Sequence, residues 1–568
     1  MDIGLVGEGP AADAVAAALG DIDVNVMPVE ADLLDGFDLA VVVDTAGSEA
    51  FAAASDRLDQ WVAVEVGGVG GVPLDAVDAA VTVFETTCYD CLRARVASGD
   101  AEPANETRGT RSAVRYAGAL AGRRVVRLLS GDPVADTIVE VASGEAADSE
   151  RTLLPVPGCG CGDVPGDALP RDGEGRSLAA ALDAAERAVD SRAGPIADVG
   201  EQSSFPVPYY VARVADTTPF SDGRAAEFGG GVAAGWDAAF MKALGEGLER
   251  YAAGVYREES FTRAAAATVP NPVPPDAFVR PESAAAYSRD DRLPWVAAEH
   301  LATGEIASLP AEFVHFPPPE SRYRPAITTG LGLGNSGPEA ALSGLYEVIE
   351  RDATMTSWYS TVDPLGIEVD DEAFAELEKR ARAESLTVTP LLVTTDVDVP
   401  VVAVGVHREG EWPRFAAGSG ADLDPAAAAR SALAEALQNW TELRSMGEAA
   451  AADQGAAIGR HADFPAETGA FFDPDATVPA ESLGAETATG TAELSAVVER
   501  VEAVGLDPYV ARITTRDLAA LGFEAVRVLA PGAQPLFTGD PFFGDRASDV
   551  PRSMGFEPTL DAEYHPFP

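Results

Sequence analysis

Three alanine- and leucine-rich stretches constrain this chain more than any other feature: KALGEGLERY carries Glu246 and Glu249, SGLYEVIERDA carries Glu347 and Glu350, and SALAEALQNW carries Glu435 and Gln438. Residues i and i+3 share one face of a helix, so each stretch offers a pair of oxygen ligands while its other face stays free to pack. On the first, Leu244, Leu248 and Tyr251 make the apolar stripe, and Lys242 lies with the two glutamates opposite. On the second, Asp352 falls within the arc of Leu345, Val348 and Ile349, where a buried carboxylate needs a partner. The pairs lie 101 (347 − 246) and 88 (435 − 347) positions apart, so they form one site only if tertiary packing gathers them. Oxygen ligands from several helices suit Mg²⁺, which takes carboxylates together with nucleotide phosphates. For any pair alone the alternative is a solvated face of an acidic helix.

The chain has 92 acidic and 40 basic residues, a formal charge of −52, and its only lysines are Lys242 and Lys379. This balance resembles the proteins of extreme halophiles, whose molar salt shortens the Debye length to about 3 Å and screens self-repulsion. No basic patch offsets the charge, which argues against nucleic acid as a partner. The start, MDIGLVGEGP, lacks a basic n-region, and no apolar run reaches the ~18 residues of a membrane span. A soluble, cytoplasmic chain with no membrane partner is expected. Its 568 residues, 46% hydrophobic, suggest two domains with sizeable cores.

Over the first 85 residues, the apolar runs MDIGLVG, DVNVMPV, DLAVVVD and WVAVEVG alternate with helical AADAVAAALG and FAAASDRLDQ, which predicts a mainly parallel sheet. The turn Gly7-Glu8-Gly9-Pro10-Ala11-Ala12 is a poor dinucleotide fingerprint, because Ala12 replaces the third glycine and Pro10 removes a backbone N–H. Four cysteines fall in two close pairs, Cys88/Cys91 and Cys159/Cys161. In a cytoplasmic chain this favours a metal over disulfides, with a redox pair or incidental buried thiols as the alternatives. The Gly/Asp/Pro-rich CGDVPGDALPRDGEGR marks a boundary. The expected division is a first domain over 1–165, a linker helix within 166–193 and a larger domain over 194–568. Within the last, residues 448–491 show little periodicity and read as a mobile lid or disordered insertion.

From about residue 194 to its end the chain resembles the YcaO family of ATP-dependent enzymes. The motifs, in order, are KALGEGLERY, TTGLGLGNSGPEAALSGLYEVIERDA, GSGADLDPAAAARSALAEALQ, ITTRDLAALGFEAVRVLAPG and GDRASDVPRSMGFEP. The resemblance implies that Glu246, Glu249, Glu347, Glu350, Glu435 and Gln438 bind Mg²⁺ and the ATP phosphates, with Arg250 and Arg351 facing phosphate charge. Two departures stand out: Lys242 occupies a position where the family commonly has Ser, and Gly229-Gly230-Gly231 replaces a frequent Gly-Lys-Gly, so Lys242 is a candidate to supply the missing charge. The N-terminal part, through VGGVPLDAVDAAVTVFETTCYDCLRARVAS, resembles the E1-like domain of azole-forming cyclodehydratases, in which two cysteine pairs hold a structural zinc. That implies a closed Zn²⁺ site at Cys88, Cys91, Cys159 and Cys161, although the second pair is one residue tighter than the family's. No leader-gripping winged helix is visible before the first strand.

The fold class expected from these resemblances is mixed α/β and α+β. A Rossmann-like E1-type N-terminal domain with a tetra-Cys zinc would precede a YcaO ATP-binding catalytic domain. The implied reaction is ATP-dependent O-phosphorylation of a peptide backbone amide, closing Cys, Ser or Thr to an azoline as in bacteriocin-like peptide modification. Thioamidation, modification of a translation component, and a non-catalytic ATP-binding scaffold are the rivals. The implied partners are a peptide or protein substrate and a separate substrate-recognition or sulfur-donor protein, with a homodimer admitted. The tail Tyr564-His565-Pro566-Phe567-Pro568 is similar to the family's Pro-x-Pro-x-Pro ending. By that likeness His565, Pro566 and Pro568 are catalytic candidates, His565 or the terminal carboxylate assisting proton transfer; a frayed terminus is the alternative.

Overall fold

The computed structural model describes residues 1–567 apart from 101, 145, 174, 454–456 and 485–487. In the N-terminal part, strands Asn25–Pro28, Asp2–Val6, Leu39–Thr45 and Trp61–Val66 run parallel in that spatial order. The sheet then continues with antiparallel Val77–Phe84, Thr137–Ala142 and Ser149–Thr152. The central strands are buried on both faces, which is why they read as unbroken valine-rich runs rather than as alternations. Helices Pro10–Leu19 and Arg111–Leu129 pack together on one face, and a Cβ at Gly118 would stand 2.2 Å from the Ala11 carbonyl oxygen. At the Gly7 turn φ is +100° and a Cβ would meet the Val43 carbonyl oxygen at 2.1 Å. Strand crossing alone thus accounts for this glycine.

The remainder is built on three sheets. Ile196–Ser203, Tyr209–Val214 and Phe228–Val232 form the first. The second follows the order Thr262–Ala265, Arg292–His300, Tyr509–Arg512, Glu524–Leu529, Leu331–Gly334, with Ile306–Pro310 paired to Arg292–His300. The third runs Phe415–Ala421, Val401–His407, Thr387–Leu392, Leu365–Glu368, Thr477–Pro479. One end strand of each sheet leads directly into a long helix: Phe228–Val232 into Trp236–Gly254, Leu331–Gly334 into Gly337–Trp358, and Phe415–Ala421 into Pro425–Met446.

These helices lie close against their own strands because glycine recurs at alternate strand positions. A Cβ would stand 2.0 Å from Ala243 N at Gly231, 2.3 Å from Ala340 O at Gly332 and 2.6 Å from Ala428 O at Gly420. No other residue allows that approach.

The segment 448–491, expected as a mobile lid or disordered insertion, carries regular structure in its described residues. Its described residues include helices Glu448–Asp453, Ala457–His461 and Ala466–Phe471, and strand Thr477–Pro479 pairs with Leu365–Glu368. Widely spaced aromatics anchor it: Phe472 is 3% exposed, and Phe464 stacks on Phe415 at 5.0 Å between centroids.

A continuous core joins the two halves of the chain: Cys91, Leu154 and Val156 share one cluster with Leu244, Leu248 and Leu518. Within it Arg95 pairs with Asp517, both side chains fully buried, while Tyr251 donates to the same carboxylate at 2.6 Å. Among the described residues no helix is long and apolar enough to cross a membrane.

Candidate functional site

The three helices converge on one cavity of about 720 Å³. Its walls include Glu246 and Glu249 from the first, Glu347 and Glu350 from the second, and Glu435 and Gln438 from the third. Lys242, Arg250 and Arg351 line it as well. Each helix is clasped to its own sheet in the same way. The first glutamate of the pair accepts a backbone N–H from the preceding strand or its approach: Glu246 from Gly230 at 3.1 Å, Glu347 from Gly330 at 2.9 Å, and Glu435 from Ser419 at 2.6 Å. One carboxylate oxygen is thereby fixed, and the side chain's direction with it.

Two arginines keep the acids from repelling one another apart. Arg250 reaches Glu246 and Glu249 at 3.1 Å each. Arg351 sits more loosely, 3.9 Å from Glu347, 3.6 Å from Glu350 and 3.9 Å from Glu435, bridging the second and third helices. Even so the site is short of positive charge. Burial, with neighbouring carboxylates adding to it, pushes Glu249 and Glu435 up to about 7 and raises Glu246 and Glu350 as well. Crowded carboxyls that hold protons near neutrality are what a divalent cation would relieve, and the all-oxygen donor set fits Mg²⁺.

Lys242 stands exposed at the cavity wall, its ammonium lowered by the desolvation of the surrounding protein while Glu435 pulls it the other way. Gly230, at the centre of the Gly-Gly-Gly run, faces the Tyr209 ring and Gln438, which a Cβ would meet at 3.2 and 3.3 Å.

The sequence reading missed several contributors. Ser419 ties two helices together, its N–H on Glu435 and its hydroxyl donating to Glu350 at 2.7 Å. Glu442 accepts from both Tyr209 and Gln438, at 2.8 and 2.9 Å, and so orients the Gln438 amide. Arg527 is buried beneath the cavity, donating to the Thr328 and Ile327 carbonyls at 2.7 and 2.9 Å; burial lowers it to about 10 against the pull of Glu347 and Glu249. A lone arginine within the apolar strand EAVRVL was the available signal. Asp352 has the partner its position demanded: Arg546 grips both of its oxygens, at 3.0 and 2.6 Å, and Gln534 N donates at 2.7 Å.

The four cysteines also come together, with all sulfurs within 4.8 Å of one another. Cys88 lies 3.7 Å from Cys91 and 3.4 Å from Cys159, and Cys91 lies 3.5 Å from Cys161. Four sulfurs about 2.3 Å from a tetrahedral Zn²⁺ would stand roughly 3.8 Å apart, so the spacing suits a metal and is far from the ~2 Å of a disulfide. Val156 N and Arg516 point N–H groups at Cys91 and Cys161, at 3.3 and 3.4 Å, as thiolate ligands require.

The tail, expected either to assist proton transfer through His565 or to fray, is held in place by hydrogen bonds. Trp358 Nε1 donates to the Glu563 carbonyl at 2.8 Å and His461 Nε2 to that of Tyr564 at 2.5 Å. His565 is fully buried, its Nε2 donating to the Phe537 carbonyl at 2.8 Å. Burial, aided by the nearby Arg351 charge, pushes its imidazole down to about 4. In this arrangement the ring is enclosed and committed to a backbone carbonyl, close to the Arg351 of the cavity wall. Neither His565 nor Pro566 lines the cavity; Phe567 is 0% exposed, and Pro568 lies outside the described residues.

Comparison with known proteins agrees with this architecture. A family model described as YcaO cyclodehydratase, ATP- and Mg²⁺-binding, matches residues 230–534, over half of the chain. An uncharacterised protein of Methanothermobacter thermautotrophicus (strain Delta H) is 29% identical over 325 residues, 53% of this chain and 79% of that one. Among solved structures, a heterocyclase in complex with substrate and cofactor superposes with a TM-score of 0.73 at 18% identity, over 98% of this chain and 83% of that chain. The heterocyclase TruD superposes with a TM-score of 0.66 at 17% identity, over 98% and 82%. Since both alignments span nearly the whole chain, the likeness of fold includes the N-terminal sheet. The match over residues 230–534, spanning all three strand–helix units and the six oxygen-bearing side chains they deliver, makes this chain a member of the YcaO family, an ATP-dependent enzyme of the cyclodehydratase type.

Proposed function

We propose that the chain spends ATP to phosphorylate the oxygen of a peptide backbone amide and so closes a neighbouring Cys, Ser or Thr side chain onto it as an azoline. The observation that carries this reading is the gathering of Glu246, Glu249, Glu347, Glu350, Glu435 and Gln438 in one cavity with Arg250 and Arg351 between them. These six oxygens serve as ligands to Mg²⁺ and contacts to the nucleotide, and Lys242 faces the phosphates from the wall. When bound, Mg²⁺ neutralises the triphosphate and orients its γ-phosphoryl group. The chain's own contribution is positional: the backbone clasps and the two arginines hold each carboxylate in place before the nucleotide arrives.

The side-chain thiol or hydroxyl adds to the amide carbon and gives up its proton. The carbonyl oxygen takes the γ-phosphoryl group, and ADP leaves. The amide nitrogen then expels phosphate, forming the C=N bond as its N–H proton departs. The four cysteines hold one structural zinc, and residues 1–165, 166–193 and 194–568 are an E1-like domain, a linker and the catalytic domain. A peptide or protein is the substrate, delivered with a separate recognition protein.

The test is conversion of candidate Cys- or Ser-containing peptides with Mg–ATP, read as a loss of about 18 Da per ring. A peptide carrying ¹⁸O in the cyclising amide should pass the label to phosphate, and unlabelled phosphate would refute amide phosphorylation. Glu350→Gln removes a charge at nearly constant shape and should lower turnover by roughly 100-fold or more while the chain stays folded.

A further inference from the structure

A second cavity, of about 440 Å³, lies where the loop after the second cysteine pair meets the chain leaving the first site helix. None of the six oxygen-bearing side chains lines it. Its mixed walls include four aromatic residues, Phe220, Tyr256, Phe261 and Trp295, together with His315. The His315 ring packs against Tyr256 and Phe261 at centroid distances of 4.7 and 5.4 Å.

Most polar groups in this wall are satisfied from within. Trp295 Nε1 donates to the Ala264 carbonyl, Thr514 to Glu524, and Thr515 to Asp517. His315 is different. It is 8% exposed, and its Nδ1 engages the Ala253 carbonyl at 3.1 Å, so Nδ1 carries the proton. Burial pushes the ring down to about 4, which leaves it neutral and makes Nε2 an acceptor. Among the described residues Nε2 has no protein hydrogen bond, and at the cavity wall a ligand's donor can take the place of water on it. The wall's charge is also unusual for so acidic a chain, with three arginines to one aspartate. Arg257 and Arg512 pair with Asp222 and Glu524, whereas Arg516 donates to the Cys159 carbonyl and the Cys161 sulfur and has no carboxylate partner among the described residues.

We propose that this cavity is a second ligand site, taking a flat ring with a hydroxyl donor at one end and an acidic group at the other, that is, a phenolic acid. The hydroxyl donates to Nε2 of His315, the ring lies among Tyr256, Phe261 and Trp295, and the acid is directed toward Arg516. The volume falls in the range of small-molecule sites, about 300–1,000 Å³.

The probes are 4-hydroxyphenylacetate and phenylacetate, which differ only in the donor. They are titrated calorimetrically into the full chain with Mg–ADP saturating the first cavity. The hydroxylated acid should bind roughly tenfold more tightly. His315→Phe keeps the ring's shape without the acceptor and should erase the difference while retaining phenylacetate. Phe261→Ala, a variant less demanding of the core, should weaken both acids alike. Equal affinities for the unsubstituted chain, no binding of either acid, or competition by Mg–ADP would each overturn the assignment.

Discussion

Lowering the pH from 8 to 6 should weaken Mg²⁺-dependent nucleotide binding by about 100-fold, roughly 2.7 kcal/mol. The figure follows from Glu249 and Glu435, which burial raises to about 7. The ionised fraction of each falls from about 0.9 at pH 8 to about 0.1 at pH 6, and a cation needing both as carboxylates loses the product of the two ratios. The ligand-free chain responds with the opposite sign. Each carboxyl has a folded pKa above its ordinary value of 4.5, so its stabilising contribution is whole below about pH 4.5 and disappears as the pH climbs through 7. That costs on the order of 3 kcal/mol per group. Calorimetry with a non-hydrolysable ATP analogue, in two buffers of different ionisation enthalpy, reads proton release directly. The same titration without Mg²⁺ subtracts the nucleotide's own protonation. Binding that is flat between pH 6 and 8 after this subtraction, with no proton released, would refute the assignment of Glu249 and Glu435 as cation ligands.

Metal analysis of the reduced protein should find one zinc per chain, and Cys88→Ser or Cys159→Ser should lose it together with N-terminal stability; intact protein without zinc would remove the site. Phe567→Ala should cost about 3–5 kcal/mol by denaturant unfolding, because the ring is buried in the core beside Trp358; a change under ~0.5 kcal/mol would show that the tail does not pack as described. Asp352→Ala strands Arg546 beside Asp396 alone and should cost about 3–5 kcal/mol, whereas Asp352→Ala with Arg546→Met should recover part of it; equal losses in both variants would mean the pair is not coupled.

The three pairs of oxygen-bearing side chains were legible because i, i+3 spacing survives any tertiary arrangement, and Asp352 was legible because charge on an apolar arc is costly wherever it lies. The strands that position the pairs were not. Gly229-Gly230-Gly231 has the lowest strand propensity available, and its role comes from helix contact rather than from its own preference. A periodic signal was nonetheless present, since in each unit one glycine in contact with its helix precedes the first glutamate by 15 positions (246 − 231, 347 − 332, 435 − 420). The order within 448–491 was hidden because a few aromatics, too far apart for periodicity, anchor it. His565 was read from the likeness of the tail to the family's ending, and a sequence gives no warning that the imidazole will be enclosed and held by the Phe537 carbonyl.

The buried contact of Arg95 with Asp517 and Tyr251 changes what a boundary near residue 165 or 194 means. Arg95 follows the first cysteine pair, Tyr251 lies two residues beyond Glu249, and Asp517 follows Arg516, which itself touches Cys161. Severing the chain at either boundary and discarding the first part removes Arg95 from Asp517 and uncovers the apolar surface of Leu244, Leu248 and Leu518 that packs in the same cluster as Cys91, Leu154 and Val156. A cut at either boundary is therefore expected to lower the stability of the catalytic half, because part of its core is built from the thiol-bearing one.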